Sequence, residues 1–254
     1  MKKQLIYDLP TRVLHWLFAG LFLSAFCISN IFDDESPIFS YHMLIGLILV
    51  FVVVLRLIWG LFGTKYARFS GFSLNPIELL RYFQGILTGS KKRWSGHNPA
   101  TSWAAIIMIL LASGLGITGF LMTSGTNRDS IKDIHELLAN GFIIIVIFHI
   151  AGIIIHSIRH QEMVAISMFD GKKEGASPEV AIKSSRSIIG ALILVLVGTF
   201  SLIVFKNYNS KTQTLQIFGT TLQLGEKENS ENSENSENEN EGNGSTEDKD
   251  GDDD

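Results

Sequence analysis

The sequence predicts an all-α integral membrane protein: a four-helix transmembrane bundle followed by a fifth C-terminal transmembrane helix and a disordered acidic tail. Three observations predict it. The chain of 254 residues is 46% hydrophobic, with 17 Phe, and its apolar residues are gathered into long blocks between charged connectors, a membrane composition rather than that of a soluble domain. Five blocks, at about 11–31, 40–62, 101–122, 135–158 and 187–206, reach the roughly 20 helical residues needed to cross a hydrocarbon core of about 30 Å. Beyond them, residues 226–254 carry 13 acidic side chains against Lys227 and Lys249, and no hydrophobic residue.

The first block follows Lys2 and Lys3 and could be mistaken for a secretory signal. It is too long for one, carries Arg12 and His15 in its leading turns, and lacks a small-x-small cleavage site near Ser24, Ala25 and Phe26. It is therefore expected to be a retained helix. Cys27, the single cysteine, lies inside it and is expected as a small packing residue, which excludes internal disulfides and Cys-ligated clusters. The connector after the second block carries Lys65, Arg68, Arg81, Lys91, Lys92 and Arg93, and the segment after the fourth carries Arg159, Lys172, Lys173, Lys183 and Arg186. By contrast, the connector around Asp33, Asp34 and Glu35 has no base, and the one near Arg128 and Lys132 has two. The positive-inside rule then places the N-terminus and the long loop 63–100 in the cytoplasm, and the fifth helix sends the C-terminus outward.

The tail repeats Ser-Glu-Asn three times from Ser230 to Asn238. It has too little apolar surface to fold and is expected to be disordered. It also divides the charge: the body carries 19 Lys and Arg against 12 Asp and Glu, a net +7, whereas the tail carries −11. Between the fifth helix and the tail, TQTLQIFGTTLQL alternates weakly and reads equally as a short strand or an interfacial segment.

Histidines inside the apolar blocks point to chemistry. Fourteen helical residues rise about 21 Å and return to within about 40° of the starting face, so His135 and His149 lie on one side at two depths. His42 opens the second helix at the level of His135. His15 precedes the end of the first helix by fifteen residues, roughly 22 Å, the depth of His149. An antiparallel bundle thus offers two imidazole pairs about 20 Å apart, His42 with His135 and His15 with His149. Polar groups in membrane helices mark a cofactor, a cavity or a partner, and haem iron supplies such a partner to imidazole. The bundle is accordingly expected to hold two haems, with His15, His42, His135 and His149 as the iron ligands.

Other residues are placed around these pairs. His156, on the face of His149 and about 10 Å nearer the cytoplasm, is a reserve ligand or a propionate or quinone contact. Arg56 falls at the depth of the inner pair, and either binds a haem propionate or snorkels to the surface. Gly46, Gly114, Gly116 and Gly119 admit either a ring face or close helix packing. His97, in Gly96-His97-Asn98-Pro99, reads as a turn or cap residue, and His160 as an interface residue.

Several motifs together resemble the bacterial cytochrome b561 superfamily, in particular the b-type cytochrome subunits of nickel-iron hydrogenases. They are Tyr7-Asp8-Leu9-Pro10-Thr11-Arg12-Val13-Leu14-His15-Trp16, Tyr41-His42-Met43-Leu44-Ile45-Gly46 with Arg56 and Trp59, Arg68-Phe69-Ser70-Gly71-Phe72, Gly96-His97-Asn98-Pro99, Thr118-Gly119 and the His135/His149 helix. The resemblance covers about residues 5–172, and it implies a four-helix domain with two haem b groups passing electrons between the quinone pool and a redox partner, with the same four histidines at the ligand positions. The remaining chain divides into a linker and fifth helix, 173–210, and an outward segment with the acidic tail, 211–254.

The function expected is that of an electron-transfer subunit of a quinone-linked oxidoreductase in the bacterial cytoplasmic membrane, with quinone as substrate. Its redox partner would be a c-type cytochrome or a hydrogenase-like dehydrogenase. A homo-oligomer is left open, and no pattern points to nucleic acid. Two readings stand beside it: direct redox chemistry on a small molecule such as superoxide at the outer haem, and a haem-free proton or metal-ion transporter. Against the transporter, helices one to four have no Asp or Glu in their central apolar spans, where transporters place them.

Overall fold

The computed structural model describes residues 3–89, 98–123, 128–161, 164–173 and 178–224. The expectations for His97 and for the tail 226–254 fall outside the described residues.

Helix α1 (Leu9–Ile31) begins where the Asp8 carboxylate accepts the Thr11 backbone N–H at 2.9 Å, with Pro10 in the first turn, so the cap satisfies a donor the helix cannot and Pro supplies a helical φ. The chain turns at Asp33 and Asp34 and returns as α2 (Phe39–Phe62). Helix α3 (Pro76–Leu87), capped by Asn75, is shorter. Asn98 caps α4 (Pro99–Met122) through the Thr101 N–H at 2.8 Å. Helix α5 (Arg128–His160) runs back, and after the short α6 (Ser167–Asp170) the chain crosses again as α7 (Ser187–Lys206). Of these, α1, α2, α4, α5 and α7 are long and apolar enough to cross a membrane.

The helices alternate in direction, so the bundle has an Asp8 end, where α1, α4 and α7 start, and an Asp34 end, where α2 and α5 start. Helices α1 and α2 pack as one pair, α4 and α5 as another, and α7 lies against α1 and α2. One core joins Leu14, Leu44, Ile48 and Val52 to Ile193 and Val197 of α7. The second centres on the fully buried Phe142, whose ring lies 4.2 Å from that of Phe22. Apolar side chains such as Leu110, Ile144, Ile147 and Phe148 point outward, exposed, as a lipid-facing surface requires.

At the Asp8 end, β1 (Gln4–Leu5) pairs antiparallel with β2 (Lys172–Lys173). Arg12 and Trp16 donate to the carbonyls of Phe169 and Met168, so the segment after α5 is folded back against the start of α1. At the Asp34 end, β3 (Tyr208–Asn209), β4 (Thr214–Ile217) and β5 (Thr220–Gln223) form a meander.

Local differences from the sequence reading have physical causes. Helix α5 starts at residue 128 rather than 135, because hydropathy marks only the lipid-embedded part and Asp129 favours the positive end of a helix dipole in the polar extension. The undecided segment TQTLQIFGTTLQL is a hairpin. Phe218 and Gly219 have φ of 52° and 76°, the two positive values that a tight two-residue turn needs, and Leu215 and Ile217 are buried while Gln216 faces out. Cys27 is exposed on α1 instead of packed.

Candidate functional site

Ring geometry brings two of the four histidines, His42 and His135, together as a pair. At the Asp34 end the rings of His42 and His135 have centroids 6.2 Å apart and planes at 74°. Both line a cavity of about 790 Å³ between α1, α2, α4 and α5, closed on one side by Leu215, Leu222 and Leu224 of the hairpin. Each ring is braced through Nδ1. His42 Nδ1 bonds the Ala25 carbonyl at 2.9 Å, and a carbonyl can only accept, so that nitrogen carries the proton. His135 Nδ1 lies 2.8 Å from Thr118 Oγ1, and the Thr118 hydroxyl donates its own proton to the Gly114 carbonyl at 2.9 Å. Thr118 is therefore the acceptor and His135 Nδ1 the donor. On both rings the lone pair is left on Nε2.

The glycines serve cavity and packing, and Gly116, which also lines the cavity, serves both. A Cβ on Gly46 would meet nothing within 4 Å, and one on Gly119 would come 3.7 Å from His135; both residues line the cavity. A Cβ on Gly116 would collide with Val50 at 2.6 Å, and one on Gly114 would press on Leu138 at 3.0 Å. These two allow helices to approach closely.

Toward the Asp8 end, His15 and His149 lie near enough for their charges to interact. The pair lacks the bracing of the first: His149 Nδ1 is buried with no hydrogen-bond partner among the described residues. The His156 ring lies 4.4 Å from that of His160, near Arg159 and Lys173. Arg56 does not reach for solvent. Its guanidinium donates to the Ala67 carbonyl at 3.1 Å, sits 5.0 Å over the Phe69 ring and faces the charge of Asp8.

Asp8 is the residue whose role the sequence did not reveal. It is fully buried, caps α1, accepts Trp59 Nε1–H at 3.3 Å and the Thr64 hydroxyl at 2.6 Å, and so ties the starts of α1 and the loop after α2 together. Burial next to Tyr66 pushes the Tyr7 hydroxyl up to about 12. Capping by Asp8 is legible from Asp-Leu-Pro, but its link to Trp59 and Thr64, about fifty residues away, has no local signal. The same holds for Thr118 as the partner of His135.

Fold and site together define a multi-pass membrane helical protein with histidines inside its spanning helices, His42 and His135 facing each other across a cavity. Residues 6–171 match the prokaryotic cytochrome b561 family, and the chain belongs to that family, a group of membrane b-type cytochromes in electron transfer. A probable Ni/Fe-hydrogenase B-type cytochrome subunit from Rhizobium leguminosarum bv. viciae is 24% identical over 210 residues, covering 66% of this chain and 87% of that protein. No solved structure matches significantly. The matched residues end before α7, so the fifth helix and the hairpin lie outside the family region. Family membership implies b-type haem, and it sets aside the haem-free transporter.

Proposed function

We propose that this protein is a di-haem cytochrome that passes electrons between membrane quinone and a partner redox protein, with one haem held by His42 and His135 and the other by His15 and His149. The observation that carries the reading is the first pair. Metal–imidazole nitrogen bonds run near ~2 Å and the nitrogen sits about 1 Å from its ring centre, so two imidazoles flanking one metal ion stand roughly 6 Å apart. His42 and His135 stand 6.2 Å apart, offer Nε2 lone pairs, and border a cavity with room beside Gly46 and Gly119. For the second pair, the support is the charge that His149 exerts on His15 and the buried Nδ1 of His149, which no described residue matches and which is costly to leave so; ligation at that nitrogen, or a water behind a ring ligating through Nε2, would satisfy it.

Bound haem supplies one-electron chemistry at its iron; the side chains bind, orient and insulate. The Ala25 carbonyl and Thr118 fix the rotation and tautomer of their imidazoles and raise their basicity as ligands. Phe22, Phe26 and the hairpin leucines exclude water from the cavity walls. Arg56, held inward over Phe69, is placed to meet a propionate at the Asp8 end, and His156 with Arg159 to contact a quinone or a propionate there.

In this reading the chain sits in the bacterial cytoplasmic membrane with the Asp8 end cytoplasmic. The hairpin β4–β5 stands at the outer face, and the acidic charge of residues 226–254 that follow it in sequence attracts a partner with a basic surface, a c-type cytochrome or a hydrogenase-like dehydrogenase, by long-range charge. The test is reduction of the purified, haem-loaded protein in proteoliposomes by a short-chain quinol, followed at the haem α-band. Reduction of both haems by quinol is expected. Reduction by dithionite alone would overturn the quinone assignment.

A further inference from the structure

Helix α3 was not anticipated, and no membrane-spanning role or histidine pair uses it. Its twelve residues place Ile77, Leu80, Phe83 and Leu87 within an arc of about 120° at 100° per residue. All four are exposed, at 57%, 61%, 50% and 86%. Tyr82 and Ile86, on the other flank, are half-buried. This stripe, interrupted only by the exposed Gln84, is the apolar side of an amphipathic helix and is left uncovered by the described residues.

We propose that α3 lies in the plane of the membrane interface on the side of the Asp8 end, with this stripe buried at the boundary of headgroups and acyl chains. Its anchors set the orientation. Before its N-terminus, the Ser73 N–H donates to Ser102 in the first turn of α4. Tyr82, at its middle, takes a hydrogen bond from Asn98, the cap of α4. Near its C-terminus, Arg159 at the end of α5 donates to the carbonyls of Gly85 and Ile86. The helix is thus strung from the start of α4 to the end of α5, across the bundle end and not along it.

The surroundings identify lipid as the occupant. Ile158, the neighbour of Arg159 in α5, is 73% exposed, so the spanning helix that holds the C-terminal end of α3 presents an apolar, lipid-facing side chain one residue from that contact. Arg81 is exposed beside the stripe, whereas Glu78, the acid of the helix, is engaged by Ser73. A cation flanking an apolar arc suits an anionic headgroup layer.

A nitroxide scan tests this without depending on haem. Full-length protein carrying Cys27→Ser receives single cysteines at Ile77, Leu80, Phe83, Leu87 and Arg81, and is reconstituted in vesicles containing an anionic phospholipid. Collision of each label with oxygen and with a water-soluble nickel chelate is then measured. At the four stripe positions high oxygen and low chelate accessibility is expected, with the reverse at Arg81. Stripe positions as open to the chelate as Arg81 would show a solvent-exposed helix and overturn the proposal. So would stripe positions closed to both collision agents, the signature of a protein partner or a second copy.

Discussion

The two histidine pairs are built differently. At the Asp34 end both rings are held by hydrogen bonds that leave Nε2 toward a cavity; toward the Asp8 end His149 Nδ1 is buried without a partner among the described residues. The first site is organised by protein alone. The second relies on what binds it, or on water, to satisfy its polar atoms. The lesson is that residue type and depth locate a site, while the bonds behind the ligands decide how far it is preformed.

The sharpest way to break the contrast is Gly46→Leu. A Cβ there meets open cavity and no neighbour, so the helix should tolerate the side chain while the Asp34-end site loses its haem. Spectra of the purified variant should show the other haem alone, with thermal stability retained. Thr118→Val removes the acceptor of the His135 Nδ1 proton at nearly constant volume. Haem affinity at that site should fall roughly 10- to 100-fold, read by competition with apo-myoglobin, with the His15/His149 site unmoved.

Further substitutions separate scaffold from site. Asp8→Ala removes the cap of α1 and strands the Trp59 and Thr64 donors, and should lower stability by about 1–3 kcal/mol in detergent unfolding without changing haem number. The Lys132–Asp34 pair is exposed on both sides, 48% and 40%. Lys132→Ala should therefore change stability by less than about 1 kcal/mol, the smallest effect of the set.

Much of this was legible from the residues. Five spans announced themselves because lipid demands long apolar runs, and histidines stand out in such runs because their burial is costly. The pairing of His42 with His135 follows from helical rise together with the orientation that the basic connectors set. Helix α3 escaped notice because twelve residues with one apolar stripe do not reach the length that spans a membrane, and loop 63–100 was read for its charge. The hairpin was ambiguous because its turn is Phe218-Gly219 rather than Asn-Gly, the stronger signal. Thr118, Asp8 and the Ala25 carbonyl act across helices, through contacts that no periodicity records. Helix α7 lies outside the family region, and Ile193 and Val197 on it still join the core around Leu14 and Leu44.

The most direct test of the two-site assignment is haem stoichiometry by pyridine haemochrome on the purified chain and on His42→Ala, His149→Ala and His156→Ala. About two haems per chain in the parent and in His156→Ala, and about one in each of the other two, is the predicted result. Two haems in His149→Ala with one in His156→Ala would move the Asp8-end ligand to His156, and a well-folded parent with no haem would contradict both sites.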